Sequence, residues 1–330
     1  MNTTRRTLLT GFGVALAAAA LPSCGGSGPS SKEQQSDALV IGLTYVPDIQ
    51  FAPIYVADHF GWFTEQGLEI TIRHHGAQES LFGALQSGDE HIVYAGGDEM
   101  LQARSQGVGI RNFATTYQTY PSSLIVAADS PVNTVADLAG HTIGLPGEYG
   151  ENWFFLLAAL ESAGLSRAQV NITSIGYTQF SALTEGHVDA VVGFANSDLV
   201  RLRTSGFAAK VLEVEDLPLV ALGFGAADEI VTDRADQLNK FMTAVHKAVT
   251  YCTENPDDTV ELCTNYVETL SSDEQKTYAL AVLQATNALY GTEFGIQNPQ
   301  TWAAMGEFMA THGLLGNQVV VSEAFTDAIG

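Results

Sequence analysis

The run Leu39-Val40-Ile41-Gly42-Leu43 decides the fold of this chain, because its pattern predicts a buried strand that a helix and a second strand follow. A short apolar run rich in branched residues is typical of a strand that is covered on both faces. A helical pattern lies near residues 53–60, and the second strand pattern is Leu68-Glu69-Ile70-Thr71-Ile72. Strand, helix and strand in this order predict parallel α/β layers.

The same alternation continues along most of the chain. In a first set, the patterns predict helices at residues 79–86 and 99–105, and strands at residues 91–95 and near Phe113. A second set begins at Ser122, with strands predicted at 124–127, 142–145, 170–172 and 188–192, and helices at 151–162 and about 180–185. Each set contains enough strands for a sheet of its own.

The two sets predict two α/β lobes between which the chain crosses twice. Lobe 1 comprises residues 39–120 and 218–330, and lobe 2 comprises residues 121–217. The final part, residues 218–330, starts with one strand and is then mostly helical, and we expect it to pack on lobe 1. The crossings near Tyr120-Pro121 and Leu217-Pro218 would form a hinge between the lobes.

The first residues of the chain predict export. Arg5-Arg6 stands before an uncharged apolar run at residues 7–20, and Cys24 follows shortly after. This pattern is typical of a twin-arginine export signal, residues 1–23, that ends at a lipid-acceptor cysteine. Residues 24–38 then predict a flexible tether. The alternatives are an ordinary secretory signal or an uncleaved anchor, although the apolar run is too short to span a bilayer with ease.

The strongly negative net charge of the chain argues against some classes of binding partner. The chain has 14 Lys and Arg against 37 Asp and Glu, for a formal net charge of −23. Such a surface repels nucleic acid and anionic lipid headgroups. We therefore expect no nucleic-acid partner, and we expect the lipid on Cys24 to hold the protein on the outer face of the cytoplasmic membrane.

Cysteine and histidine residues predict no metal site. Cys252 and Cys263 flank a helix break and form either a disulfide or a pair of buried thiols, and they are too few for a metal cluster. His74-His75 are neighbours on a predicted strand, so their side chains point to opposite faces and cannot chelate together. We expect neither a metal nor a cofactor.

Several segments carry a resemblance to a known family. They are Phe51-Ala52-Pro53-Ile54-Tyr55-Val56-Ala57, Gly61-Trp62-Phe63, Gly67-Leu68-Glu69-Ile70, Asp137-Leu138-Ala139-Gly140, Thr142-Ile143-Gly144 and Gly186-His187-Val188-Asp189-Ala190. In these segments the chain resembles ABC-importer substrate-binding proteins of the thiamine-pyrimidine-precursor and alkanesulfonate type. The resemblance covers nearly all of residues 39–325. It implies a two-lobe periplasmic-binding fold that closes on a small molecule and delivers it to a permease and its ATPase.

The candidate ligand site follows from the strand ends. In parallel α/β lobes, ligands bind beyond the C-terminal ends of strands, where loops enter helix N-termini. Three loops stand there, at residues 45–50, 96–99 and 147–152, and further polar residues lie at a crossover and after second-lobe strands. The candidate ligand-binding residues are Tyr45, Asp48, Gln50, Glu79, Asp98, Glu99, Tyr117, Glu148, Tyr149, Gly150, Glu151, Asn152, Tyr177 and Asn196.

The chemistry of these residues favours a planar heterocycle. Carboxylates in the loops would repel a sulfonate or a phosphate, which argues against an alkanesulfonate ligand. Carboxylates beside aromatic faces instead suit a ring with N–H donors, such as an aminopyrimidine. For any single acid, stabilisation of a helix N-terminus by a negative charge is an equally good explanation.

The leading hypothesis is therefore a lipid-anchored receptor for a thiamine pyrimidine precursor. A riboflavin receptor of the same fold is the close alternative, because Gln50, Gln78 and several tyrosines would also serve an isoalloxazine, and the size of the cleft separates the two. Pyrimidine-forming thiamine enzymes share the fold, but they carry a cysteine-rich iron-binding stretch that this sequence lacks. A sensory or adhesive lipoprotein is a further alternative. No nucleophile and base signature is present, so we predict no catalytic residues.

Overall fold

Two five-stranded sheets organise the part of the chain that the computed structural model describes, residues 38–76 and 79–329. The predicted export signal, most of the predicted tether, the predicted lipidation site Cys24 and the candidate Gln78 lie outside the described residues. The first strand begins at Ala38, one residue before the predicted start of the folded part.

The first sheet contains the strand that was predicted at residues 39–43. Its members, numbered in chain order with the rest, are β1 (Ala38–Leu43), β2 (Glu69–His74), β3 (Ile92–Gly96), β4 (Ile110–Thr115) and β10 (Leu222–Ala227). Their order across the sheet is β2-β1-β3-β10-β4. β1 pairs in parallel with β2 and β3, whereas β10 runs antiparallel to both of its neighbours. We call this sheet and its helices the first lobe.

The second sheet has the same plan. It contains β5 (Ser122–Ala127), β6 (Thr142–Leu145), β7 (Asn171–Ser174), β8 (Ala190–Phe194) and β9 (Ala209–Leu212), in the order β7-β6-β8-β5-β9. β6 pairs in parallel with β7 and β8, and β5 runs antiparallel to β8 and β9. Each sheet is therefore mixed rather than purely parallel. β5 follows the first crossing and β10 follows the second, so each antiparallel strand is the one that enters its sheet from the other lobe. We call this sheet and its helices the second lobe.

Twelve α-helices lie in the described residues. They are α1 (Ala52–His59), α2 (Trp62–Glu65), α3 (Gly83–Ser87), α4 (Gly97–Ser105), α5 (Gly150–Ser162), α6 (Gln179–Thr184), α7 (Asp198–Thr204), α8 (Asp228–Asp233), α9 (Ala235–Glu254), α10 (Pro256–Cys263), α11 (Asp273–Asn287) and α12 (Pro299–Thr311). In this described part, none of them combines the length and the apolar composition that crossing a membrane requires.

Four apolar clusters in the described residues support the two sheets, and the two largest contain residues of α9 and of α5. In the first lobe, α9 turns an apolar face to the sheet, and its Phe241 packs against Phe224 of β10 and Phe63 of α2. In the second lobe, α5 is buried along most of its length, from Glu151 to Leu160. Continuous apolar sequence rather than a narrow stripe is what a helix covered on several sides requires.

The helical tail packs on the first lobe through α9 and α10, which contact α1. α12 differs, because its side chains Trp302 and Met305 join the core of the second lobe. The chain after Thr311 contains no α-helix in its described residues, so the helical tail ends earlier than the sequence pattern predicts. Cys252 and Cys263 are free, buried thiols, which is the second of the two alternatives predicted for them.

Candidate ligand-binding site

A cavity of about 590 Å³ is lined by residues of both lobes. Its walls come from the segment after β1, the first turns of α4 and α5, the segments after β7 and β8, and one face of α11. All of these segments except α11 follow a strand, where the chain leaves its sheet and enters a helix. The cavity thus lies where the strand-end rule places a ligand site.

The segment after β1 forms the first-lobe wall. Asp48 precedes a short 3₁₀ turn, and its Oδ1 accepts a hydrogen bond from the backbone N–H of Gln50 at 3.0 Å. Burial raises the pKa of Asp48 above its usual value. Tyr45 is 53% exposed, so its ring stands free at the cavity edge. This wall therefore offers a carboxyl acceptor beside an available aromatic face.

The second-lobe wall is tied to α11. Asn196 is buried, and its Nδ2 donates to Thr286 Oγ1 on α11 at 3.0 Å. Asp198, in the first turn of α7, accepts a hydrogen bond from the backbone N–H of Phe194 at 2.8 Å. Tyr177 is 77% exposed and turns its side chain to the cavity. Helix α11 thus closes one side of the cavity and joins it to the second lobe.

Three carboxyl groups meet where α4 and α5 approach each other. Asp98 and Glu99 lie in the first turn of α4 and Glu151 in the first turn of α5, and we call these three residues the acid cluster. Gly96 allows this approach, because a Cβ atom on it would stand 2.5 Å from Asp98 Oδ1 and 2.9 Å from Glu151 Oε1. A Cβ atom on Gly150 would stand 3.2 Å from Glu99 Oε1. The acid cluster therefore bridges the two lobes.

Few protein donors serve the acid cluster. The hydroxyl of Tyr120 donates to Asp98 Oδ2 at 2.5 Å, and the backbone N–H of Gly96 donates to Glu99 Oε2 at 3.3 Å. Within the described residues, Glu151 Oε1 is buried and has no hydrogen-bond partner. The hydroxyl of Tyr117, which also lines the cavity, is likewise buried without one in this part of the chain. Such atoms are available to a ligand or to an ordered water.

Burial and mutual repulsion hold protons on the acid cluster. Burial raises the pKa of Asp98 to about 7. Burial and the neighbouring charge of Asp98 raise the pKa of Glu99 to about 8. Burial and the charges of Glu99 and Asp98 raise the pKa of Glu151 well above its usual value. Since like charges at close range cannot all ionise, the acid cluster keeps at least one proton at neutral pH.

The structure brings more than half of the predicted site residues to the cavity. Those that line it are Tyr45, Asp48, Gln50, Glu99, Tyr117, Glu151, Tyr177 and Asn196. They come from six separate parts of the sequence and from both lobes, as a site between two lobes requires.

Six predicted residues do not line the cavity. Glu79 forms an ion pair with Arg73 and accepts from the backbone N–H of Gly76, and Glu148 forms an exposed ion pair with Arg167 at 2.7 Å. In both cases a basic partner holds the carboxylate elsewhere.

The other four support the cavity wall from behind or beside it. Asp98 is fully buried beneath Tyr120, and Asn152 Oδ1 accepts a hydrogen bond from Ser122 at 2.9 Å. Gly150 begins α5 with a φ of 67°, a left-handed conformation that favours glycine. Tyr149 is 56% exposed and lies beside Tyr177.

The histidine pair has two different sets of partners. His74 Nε2 lies 3.1 Å from the hydroxyl of Tyr55, whereas His75 Nε2 lies 2.9 Å from Glu90 Oε1. The two rings therefore do not converge. The described residues contain no group of His, Cys, Asp and Glu side chains arranged to hold a metal ion.

The sequence prediction missed residues on α7 and α11. Asp198 and Arg201 of α7 line the cavity, and so do Gln275 and Tyr278 of α11. A signal for Asp198 existed, because it follows β8 as the other candidates follow their strands. Residues of α11 gave no such signal, since this helix has no preceding strand and its cavity-facing residues are recognisable only once the fold places the helix.

A family model described as NMT1/THI5 like matches residues 48–259 of this chain. The matched region contains the segment after β1 from Asp48 onward, the acid cluster and the whole second lobe. It therefore includes most of the cavity wall and excludes α11.

Named relatives and solved structures agree with this match. The chain is 30% identical over 298 residues to the riboflavin-binding protein RibY of Chloroflexus aurantiacus, covering 88% of this chain and 85% of that protein. It is 24% identical over 311 residues to a formylaminopyrimidine-binding protein of Halalkalibacterium halodurans, covering 90% and 92%. The periplasmic aliphatic sulphonate binding protein SsuA of Escherichia coli superimposes with a TM-score of 0.72 at 18% identity, covering 88% and 92%. The last match shows the periplasmic-binding fold.

Proposed function

The chain belongs to the NMT1/THI5-like family, and we propose that it is the solute-binding receptor of an ABC importer, with a flavin as its ligand. The observation that carries the proposal is the cavity of about 590 Å³ with tyrosines and carboxyl groups from both lobes. Sites for ligands of drug size occupy about 300–1,000 Å³. A fused three-ring system with a side chain matches this volume better than one pyrimidine ring does.

The lining also argues against an anionic ligand. Its carboxyl groups are Asp48, Glu99, Glu151 and Asp198, and its basic side chain is Arg201. The guanidinium of Arg201 lies 4.9 Å from the centre of the Phe180 ring, so it already has a partner. Among the described lining residues, a single guanidinium beside four carboxyl groups offers little positive charge to compensate a sulfonate, even where some of those carboxyl groups keep a proton. Similarity in fold to the sulphonate-binding protein therefore does not extend to its ligand.

A pyrimidine precursor is the second candidate. The unpartnered carboxyl oxygen of Glu151 suits an amino group as well as any other N–H donor, and the relative from Halalkalibacterium halodurans is a formylaminopyrimidine-binding protein. The two candidates differ in size and in the pattern of donors and acceptors, so competition between them is informative.

We further propose that the protein acts without catalysis, on the outer side of the cytoplasmic membrane, and passes its ligand to a permease and ATPase. In this proposal Cys24 carries the lipid that holds it there. Closure of the two lobes around the ring would present the loaded receptor to the permease. The absence of turnover is directly measurable as recovery of unchanged ligand from the complex.

Riboflavin titration tests the proposed ligand. The purified full-length chain should quench riboflavin fluorescence as the ring stacks on tyrosine, and riboflavin should raise the unfolding temperature by mass action. At a ligand concentration a hundred times Kd, the gain is about 2.7 kcal/mol of unfolding free energy. Stabilisation by an aminopyrimidine but not by riboflavin would show that the ligand is the second candidate, a pyrimidine precursor. Stabilisation by taurine or another sulfonate alone would overturn both.

A further inference from the structure

The surroundings of the Glu151 carboxyl group do not suit an ionised carboxylate that only accepts hydrogen bonds. It is 9% exposed and it lines the cavity, yet its Oε1 has no hydrogen-bond partner in the described residues. The groups around it are neutral or acidic rather than basic. The titratable groups that face it from the elements packed against it are Tyr94, Asp98, Glu99, Tyr117 and Tyr120.

An ionised Glu151 would be poorly stabilised in this place. Buried carboxylates persist when a cation or several N–H donors compensate the charge. Here Asp98 already accepts hydrogen bonds from the hydroxyl of Tyr120 and from the backbone N–H of Glu99, at 2.5 and 2.7 Å. The neighbouring carboxyl groups add repulsion, which raises the pKa of Glu151 further. The proton that remains gives this side chain an O–H donor next to the cavity.

We propose that Glu151 donates this O–H to a carbonyl oxygen of the ligand, while Glu99 accepts an N–H, so that the pair recognises an imide edge. An imide presents two carbonyl oxygens on either side of one N–H, and therefore needs two donors around one acceptor. The buried hydroxyl of Tyr117, which is also unpartnered in the described chain, supplies the second donor. The inference rests on the proposed function, because the isoalloxazine ring of a flavin carries such an edge.

A pH titration of riboflavin binding tests the donor role. Wild-type affinity should be constant on the acid side and weaken above neutral pH, approaching about tenfold per pH unit once Glu151 ionises. Glu151→Gln keeps a donor that cannot ionise. We expect it to bind within about threefold of wild type at pH 7, with an affinity that no longer falls between pH 7 and pH 9. Glu151→Ala removes the donor and should bind about 10- to 100-fold more weakly.

The matched control is Glu161→Gln on the same helix, where the carboxylate is exposed and pairs with His312 at 2.5 Å. This variant should reproduce the wild-type titration at every pH. Unfolding temperatures show which variants are folded, and Glu151→Gln alone decides the matter if Glu151→Ala does not fold. The proposal is overturned if wild-type affinity is flat from pH 6 to pH 9, or if Glu151→Gln loses tenfold or more at pH 7. Failure of the wild type to bind riboflavin at any pH overturns the flavin ligand itself, and the imide edge with it.

Discussion

Two carboxyl groups, Glu90 in the first lobe and Glu151 in the second, are both buried against a glycine and have opposite surroundings. Each lies against a glycine whose Cβ would overlap it, at 2.2 Å for Gly42 and Glu90 Oε2, and at 2.9 Å for Gly96 and Glu151 Oε1. Both residues are almost inaccessible, at 2% and 9% exposure. Burial alone therefore does not distinguish them.

Their partners do distinguish them. Glu90 accepts from Arg73 Nη1 at 2.6 Å and lies 2.9 Å from His75 Nε2, so the fold satisfies its charge. Glu151 has carboxyl neighbours and, among the described residues, an Oε1 without a partner. A buried carboxyl group that has its hydrogen-bond and ion-pair partners within the protein stabilises the fold. A buried carboxyl group that lacks such partners is available to a ligand.

The largest loss of stability from a single substitution is expected at Glu90, whose charge the protein itself compensates. Glu90→Gln should lower the free energy of unfolding by about 2–3 kcal/mol, because it breaks a largely buried ion pair and leaves Arg73 with a weaker partner. This is less than for a fully buried pair, since the Arg73 side chain is 36% exposed. Urea unfolding measures the change. The affinity of the folded variant for riboflavin should stay within about twofold of wild type. A large loss of affinity without loss of stability would show that Glu90 serves the ligand rather than the fold.

The uncompensated burial of the acid cluster should make the free energy of unfolding depend on pH. In the unfolded chain the carboxyl groups of the acid cluster release protons near pH 4, whereas in the folded state their pKa values are raised. Between about pH 4 and pH 8 the folded protein binds more protons. Its unfolding free energy therefore falls as pH rises, by up to about 1.4 kcal/mol per pH unit for each proton.

Melting curves from pH 5 to pH 8 measure this slope. The wild type should be most stable at the acid end, and Glu151→Gln should flatten the slope and raise stability at pH 8. Asp48 and Asp198 also have raised pKa values, but they are the same in both proteins, so the difference measures Glu151 together with its effect on the rest of the acid cluster. Equal slopes for the two proteins would show that Glu151 ionises normally.

The smallest effect belongs to an exposed and paired acid. Glu148 pairs with Arg167 at the surface, where such pairs contribute about 0–1 kcal/mol. Glu148→Gln should change the unfolding free energy by no more than this amount, and titration with riboflavin should give an affinity within about twofold of wild type. A larger loss of affinity would show that Glu148 takes part in ligand binding.

The sequence predicts the layout of the fold well, because strand and helix periodicity is local. β6 has the predicted bounds, and α5 begins one residue before its predicted start. The elements α7 and β9 were not predicted, and in β9 Lys210 interrupts the apolar residues of Ala209-Lys210-Val211-Leu212. The antiparallel strands β5 and β10 were also not predicted as such, because strand direction depends on how the chain crosses between the lobes.

The site is predictable only in part for a similar reason. The strand-end rule correctly brings Tyr45, Glu99 and Glu151 to one cavity, since it follows from the order of strands and helices. It does not reveal that Arg73 and Arg167 pair with other candidate acids, because those contacts depend on side-chain packing. Nor does it reveal α11, which reaches the cavity from a distant part of the chain.

A crystal structure of the protein with riboflavin tests the central claim most directly. The isoalloxazine should lie between the lobes, with its imide edge within about 3.2 Å of the carboxyl oxygens of Glu99 and Glu151 and a tyrosine against its face. A ring bound elsewhere, or one whose imide edge meets basic side chains or water while the acid cluster stays unpartnered, would contradict this claim.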